Sequence, residues 1–115
     1  MKKMNIVKKK HEFSEIIHSK IYTANKLFAI YYRKNNLNIS RFGITVSKKI
    51  GNAVVRNKIK RQLKNIIDKN EKLFPKDLDY IIIVRRSVLE HSFNEIEQFL
   101  INLANKTKWR WNNEK

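Results

Sequence analysis

Between Ile16 and Ile67 the chain has no aspartate or glutamate, yet the same span holds twelve lysines or arginines. Inside it lies Ser47–Asn65, SKKIGNAVVRNKIKRQLKN. This stretch begins where a strand is expected to stop, turns at Gly51-Asn52 and continues as a helix to about Asn70, with Asn52 as its N-cap. At about 100° per residue, Val55, Ile59, Leu63 and Ile66 cluster on one side of that helix, and Arg56, Asn57, Lys60, Arg61 and Lys64 fall on the opposite arc. One face is then buried, while the other presents fixed positive charge at about 5–6 Å per i,i+4 step. Such a face is a grip for a polyanion, and the rest of the chain reads as the scaffold that aims it.

The charge distribution supports that reading. The net charge is +16, and seven of the ten acids lie between Asp68 and Glu97. A surface made basic only for solubility intersperses the two signs. Here the first two-thirds of the chain faces a polyanion and the last third does not, with nucleic acid ahead of an anionic membrane as the partner. Self-repulsion of this size opposes compaction until an anion binds. The 115 residues suit one domain, and the absence of cysteine excludes disulfides and thiolate zinc sites. No apolar run approaches the length of about 18 residues expected of a membrane span. The basic start MKKMNIVKKK is not followed by the apolar core of a secretion signal.

The remaining elements follow from periodicity. His11–Ser19 is expected to be a short helix, with Phe13, Ile16 and Ile17 on one stripe. Ile21–Thr23 reads as a brief strand. Lys26–Arg33 alternates, Phe28, Ile30 and Tyr32 against Leu27, Ala29 and Tyr31. Asn38–Val46 alternates as well, and the Asn-rich turn between these strands predicts an antiparallel hairpin. Their second face is mixed and small, suited to a shallow groove. The run at Asp79–Val84 suits a strand buried on both faces. Ser92, with Glu95 three residues on, forms a capping box that opens a final helix to about Asn105. The result is an α+β single domain over residues 1–115, α-β-β-β-α-β-α, with a mixed four-stranded sheet. Residues 1–8 are expected to be a flexible basic arm and 106–115 a flexible tail.

No nucleophile elbow, zinc-helix or phosphate-loop pattern is present. His11, His18 and His91 are scattered among polar neighbours, and Asp77 and Asp79 read more readily as solvated carboxylates than as metal ligands. No catalytic residue borne by the protein is expected. Lys48 and Lys49 precede the turn and extend the basic patch. Phe13 and Tyr31 serve either as core or as stacking platforms for unpaired bases, a mode that RNA favours. Tyr22 and Tyr32 are expected to be structural. Trp109 and Trp111 either cover the core edge or stack on RNA.

The string RFGITVSKKIGNAVVRNKIKRQLK resembles the signature of the bacterial ribonuclease P protein subunit. The likeness extends to the basic arm with Phe13, to ANKLFAIYY with Tyr31, to DYIIIVRR and to the last helix. The resemblance implies a left-handed βαβ crossover, an exception to the usual hand. It also implies a cytoplasmic RNA-binding protein beside a catalytic RNA, cutting the 5′ leader from precursor tRNA with Mg²⁺ bound mainly by the RNA. Neither a membrane nor a small-molecule substrate is implied. Lys48, Lys49, Arg56, Asn57, Lys60, Arg61 and Lys64 then fall to RNA contact, and Phe13 and Tyr31 to a leader-binding cleft between the first helix and the sheet. The chain departs from the pattern at Ile17, where the family often has an aromatic, and at Lys58 and Lys64, where it often has arginine. Three rivals stand beside this reading: a small ribosomal RNA-binding protein, a protein-only nuclease and a DNA-binding helix-turn-helix.

Overall fold

The computed structural model describes residues 5–7 and 9–109. The main elements are α1 (Lys10–His18), β1 (Tyr22–Ala24), β2 (Phe28–Lys34), β3 (Arg41–Thr45), α2 (Ala53–Lys69), β4 (Leu78–Val84) and α3 (Phe93–Lys106). The order is α-β-β-β-α-β-α, and the strands form one mixed four-stranded sheet in the order β1-β2-β4-β3.

The composition of β4 puts it at the centre. Leu78, Tyr80, Ile82 and Val84 point into the main core with Phe28, Ile30 and Tyr32 of β2, while Ile81 belongs to a second cluster with Val7 and Ile16 on the other face. A strand apolar on both sides needs cover on both. This overturns the expected hairpin between the second and third strands. β2 pairs antiparallel with β1 on one side and with β4 on the other, and β3 pairs in parallel with β4. The less apolar β3, with Arg41, Gly43 and Thr45, is left outside β4. Asp77, entering β4, meets the connection from β2 to β3: Asn35 N–H donates to its carbonyl at 2.8 Å, its own N–H donates to Ile39 O at 3.0 Å, and its carboxylate accepts from Asn38 N–H. Asn36, Asn38 and Asp77 all adopt positive φ there, a conformation that Asn and Asp tolerate well.

Helices cover both faces of the sheet. Ile59, Leu63, Ile66 and Ile67 of α2 and Ile96, Leu100, Leu103 and Ala104 of α3 complete the main core. Phe42 stacks on Tyr80 with centroids 4.9 Å apart, and Phe74 meets both rings edge-on. Burial raises the Tyr80 phenol above its ordinary range, and its hydroxyl donates to Pro75 O at 2.6 Å. α3 opens with the expected capping box between Ser92 and Glu95.

Where they are described, the arm and tail pack against the sheet. Val7 is 2% exposed, its N–H donates to Phe42 O at 3.0 Å and Phe42 N–H returns a bond to Asn5 O at 2.9 Å. Asn5–Val7 thus lie along the outer edge of β3, a protection that exposed strand edges need. Thr107 is tied to Thr23 and Leu103 by hydroxyl hydrogen bonds, and Trp109 packs against Tyr32, Phe74 and Tyr80. Trp109 therefore covers the core edge, whereas Trp111 lies outside the described residues.

Candidate nucleic-acid interface

The interface is built from α2 outward. Asn52 caps it, its side chain accepting from Val55 N–H at 3.1 Å, and the first turn contains no acid. The partial positive charge of the helix N-terminus is thus left uncompensated by local carboxylates. Lys48 and Lys49 stand exposed in the preceding turn, whose inward residue, Ile50, is buried. Along the helix Asn57, Arg61 and Lys64 are exposed, and Arg56 and Lys60 are half-buried. Among the described residues none of Lys48, Lys49, Arg56, Lys60, Arg61 and Lys64 has a carboxylate at ion-pair distance. Arg56 is partly committed to the fold, because its Nε donates to Gly51 O at 3.1 Å.

α1 lies across the other face of the sheet, and its two flanks are unlike. Ile16 points into the sheet and is fully buried. On one flank Glu12 reaches Arg41 Nη2 at 3.5 Å and Glu15 reaches Arg33 Nη1 at 2.9 Å. These contacts fix the helix across β3 and β2, and Arg33 holds the Glu15 carboxyl below its ordinary range. On the other flank Phe13 and Ile17 are half-buried and pack against the cluster of Val7, Ile16 and Ile81. Among the described residues this flank carries no ion pair, and its two apolar side chains keep part of their surface open to solvent.

Gly43 sets where Phe13 sits. A Cβ at Gly43 would lie 2.5 Å from Phe13 Cζ and 3.0 Å from Ile81 Cδ1. The bare backbone is therefore the floor on which the ring rests. Gly43→Ala is expected to destabilise the chain by about 1–3 kcal/mol through overpacking and to lift the ring. Thermal denaturation checks this, and an unchanged midpoint would show that the ring is free to move.

Phe13, Gly43, Ile44, Ile6, Val7, Lys60 and Lys64 line one cavity of about 170 Å³ at the β3 edge. The structure thus brings Phe13 together with the flank of α2. Tyr31 stands elsewhere, on β2, beyond β4 from Phe13, where it stacks on Tyr22 with centroids 4.9 Å apart. Tyr22, expected to be structural, is 53% exposed. Exposed Arg85 and Arg86 follow β4, and because β3 and β4 are parallel they lie at the same end of the sheet as Lys48 and Lys49. Their signal in the sequence is a basic pair directly after an apolar strand.

Asp79 departs from the expectation of a solvated carboxylate. It is fully buried, accepting from Arg41 Nε at 2.8 Å, Arg41 Nη2 at 2.6 Å and Asn35 Nδ2 at 2.7 Å. Asp79 also raises the affinity of the Arg41 guanidinium for its proton. Among the described residues no three His, Asp or Glu side chains are grouped to hold a metal ion. Nor is any helix among them long and apolar enough to cross a membrane.

The family model described as Ribonuclease P matches residues 1–108. The chain belongs to the ribonuclease P protein family. It is 43% identical over 109 residues to the ribonuclease P protein component of Mycoplasma capricolum subsp. capricolum, covering 94% of this chain and 100% of that protein. It is 36% identical to the ribonuclease P protein component of Streptococcus pneumoniae, covering 94% of this chain and 88% of that protein. Among solved structures, the ribonuclease P protein of Thermotoga maritima superposes with a TM-score of 0.82 at 28% identity, covering 91% of this chain and 99% of that one. The Staphylococcus aureus ribonuclease P protein gives 0.82 at 32% identity, with 90% and 94% covered. The fold described above is thus the fold of ribonuclease P proteins.

Proposed function

We propose that this chain is the RNA-binding, non-catalytic protein subunit of a cytoplasmic ribonucleoprotein that removes the 5′ leader of precursor tRNA. Lys48, Lys49, Arg56, Asn57, Lys60, Arg61 and Lys64 dock on the catalytic RNA, and the open flank of α1, with Phe13 and Tyr31, takes the single-stranded leader. The observation that carries the reading is the run of cations from Lys48 to Lys64 with no carboxylate partner among the described residues. Arginine forks on such a face suit phosphate geometry, and Phe13 in the cavity with Lys60 and Lys64 joins a stacking surface to the charges. Mg²⁺ belongs to the RNA in this reading. Three carboxylates of this chain are held in other pairs, Asp79 by Arg41, Glu15 by Arg33 and Glu97 by Lys69, and among the described residues no three His, Asp or Glu side chains are grouped around a cation.

Two measurements test the proposal. If about five phosphates are neutralised, log affinity for the catalytic RNA falls against log salt with a slope of about −4. A flat dependence contradicts phosphate docking. For the cleft, Tyr31→Ala is expected to lower affinity for leader-bearing tRNA by about fivefold or more and to leave mature tRNA binding unchanged. An equal loss for both would place the effect outside the leader, as expected of a general RNA-binding protein.

A further inference from the structure

Tyr22 on β1, Tyr31 on β2, Ile81 on β4 and Gly43 on β3 share one register line across the sheet, on the face that carries α1. With neighbouring strands about 4.8 Å apart, the line is about 14 Å long. Its middle is closed, because Ile81 is fully buried in the cluster that includes Ile16. At the β3 end Phe13 rests on Gly43. At the β1 end Tyr22 and half-buried Tyr31 stack at 4.9 Å with planes 26° apart. One face of the Tyr22 ring is thus covered by Tyr31. β1 is an edge strand, so no strand covers its outer side, and Tyr22 is 53% exposed.

The surroundings suit an anionic strand. Lys20 is exposed two residues earlier, and the nearby α1 carboxylate, Glu15, is held by Arg33 at 2.9 Å. Between Phe13 and the tyrosines α1 presents Ile17, which packs in the same cluster but offers no planar surface. A ring already stacked on a second ring is held in orientation before any ligand arrives, which lowers the ordering cost of binding. Base–aromatic stacking tolerates any base, so such a ring needs no hydrogen-bond partner to read.

We infer that Tyr22 stacks on an unpaired base of the single-stranded RNA leader, extending the surface of Phe13 and Tyr31 by one position to the sheet edge. Tyr22 is therefore a positioning residue for the substrate, and its assignment rests on the leader reading proposed above.

The test uses the full chain assembled with its catalytic RNA and precursor tRNAs whose leaders are shortened one nucleotide at a time. Tyr22→Ser is expected to weaken binding of long-leader precursors by about five- to tenfold, and the difference should vanish once the leader is too short to reach β1. Tyr22→Phe restores the affinity, whereas Tyr22→Leu, which keeps apolar bulk without a plane, does not. A 2-aminopurine placed along the leader is quenched at one position in the wild type and in Tyr22→Phe, and released in Tyr22→Leu. Full affinity in Tyr22→Ser, or rescue by leucine equal to rescue by phenylalanine, overturns the assignment of Tyr22 alone. A wild-type complex with no preference for leader-bearing over leaderless tRNA overturns the leader reading and this inference with it.

Discussion

Replacing Arg56 and Arg61 together by alanine is expected to lower affinity for the catalytic RNA by about a hundredfold or more, from two charged hydrogen-bonding contacts of about 1.5–3 kcal/mol each. The salt slope should fall by about two, one for each phosphate contact removed. Folding should suffer much less. Arg61 is exposed, while Arg56 donates one hydrogen bond to Gly51 O, so a loss of about 1 kcal/mol is expected from the latter. Titration of the RNA at two salt concentrations, beside thermal denaturation of the same variant, separates the two effects. A collapse in stability with affinity retained would mean that these arginines serve the core.

Asp79→Ala carries the opposite signature. It removes a fully buried carboxylate that satisfies two guanidinium nitrogens of Arg41 and the Asn35 amide. Breaking a buried pair by taking one partner leaves the other charge uncompensated, at about 3–5 kcal/mol. For a domain of this size each kcal/mol corresponds to roughly 4–8 °C in the midpoint. The expected fall therefore exceeds 10 °C, roughly, on that scale. Arg41→Ala should be similarly damaging, and the double variant should cost less than the sum of the two, because contacting residues couple. Arg41 also touches Glu12, so the loss should loosen α1 and with it the wall that bears Phe13. A midpoint within a degree or two of wild type would show that water replaces the pair without penalty.

The sequence makes plain those features that depend on a local period. The two faces of α2, the Asn52 cap, the Ser92–Glu95 box and the apolar run of β4 after Asp79 are each written in a few neighbouring residues, and each is found where the period puts it. The pairing of strands is not local. Nothing between Arg33 and Asn38 distinguishes a hairpin from two strands parted by a third, and the choice is made by β4, some forty residues on, whose two apolar faces demand the centre. The same limit hides Asp79. Its burial depends on Arg41, a partner visible only once β3 and β4 lie side by side in the register that places Arg41 opposite Asp79. It also hides the Tyr22–Tyr31 stack, because alternation assigns each tyrosine to a face but leaves the register between β1 and β2 open. For the interface, the charges of α2 are legible as a stripe, whereas the meeting of Phe13 with Lys60 and Lys64 around the β3 edge is a product of the topology.

Cleavage of a precursor tRNA by the catalytic RNA at near-physiological salt, with and without the protein, tests the central claim most directly. The account predicts that the wild-type chain accelerates removal of the leader. It predicts that Arg56→Ala/Arg61→Ala, folded and at the same concentration, does so far less, and that lowering the salt recovers part of the difference. No acceleration by the wild type, or equal acceleration by the variant, would contradict the claim that the charged face of α2 exists to hold RNA.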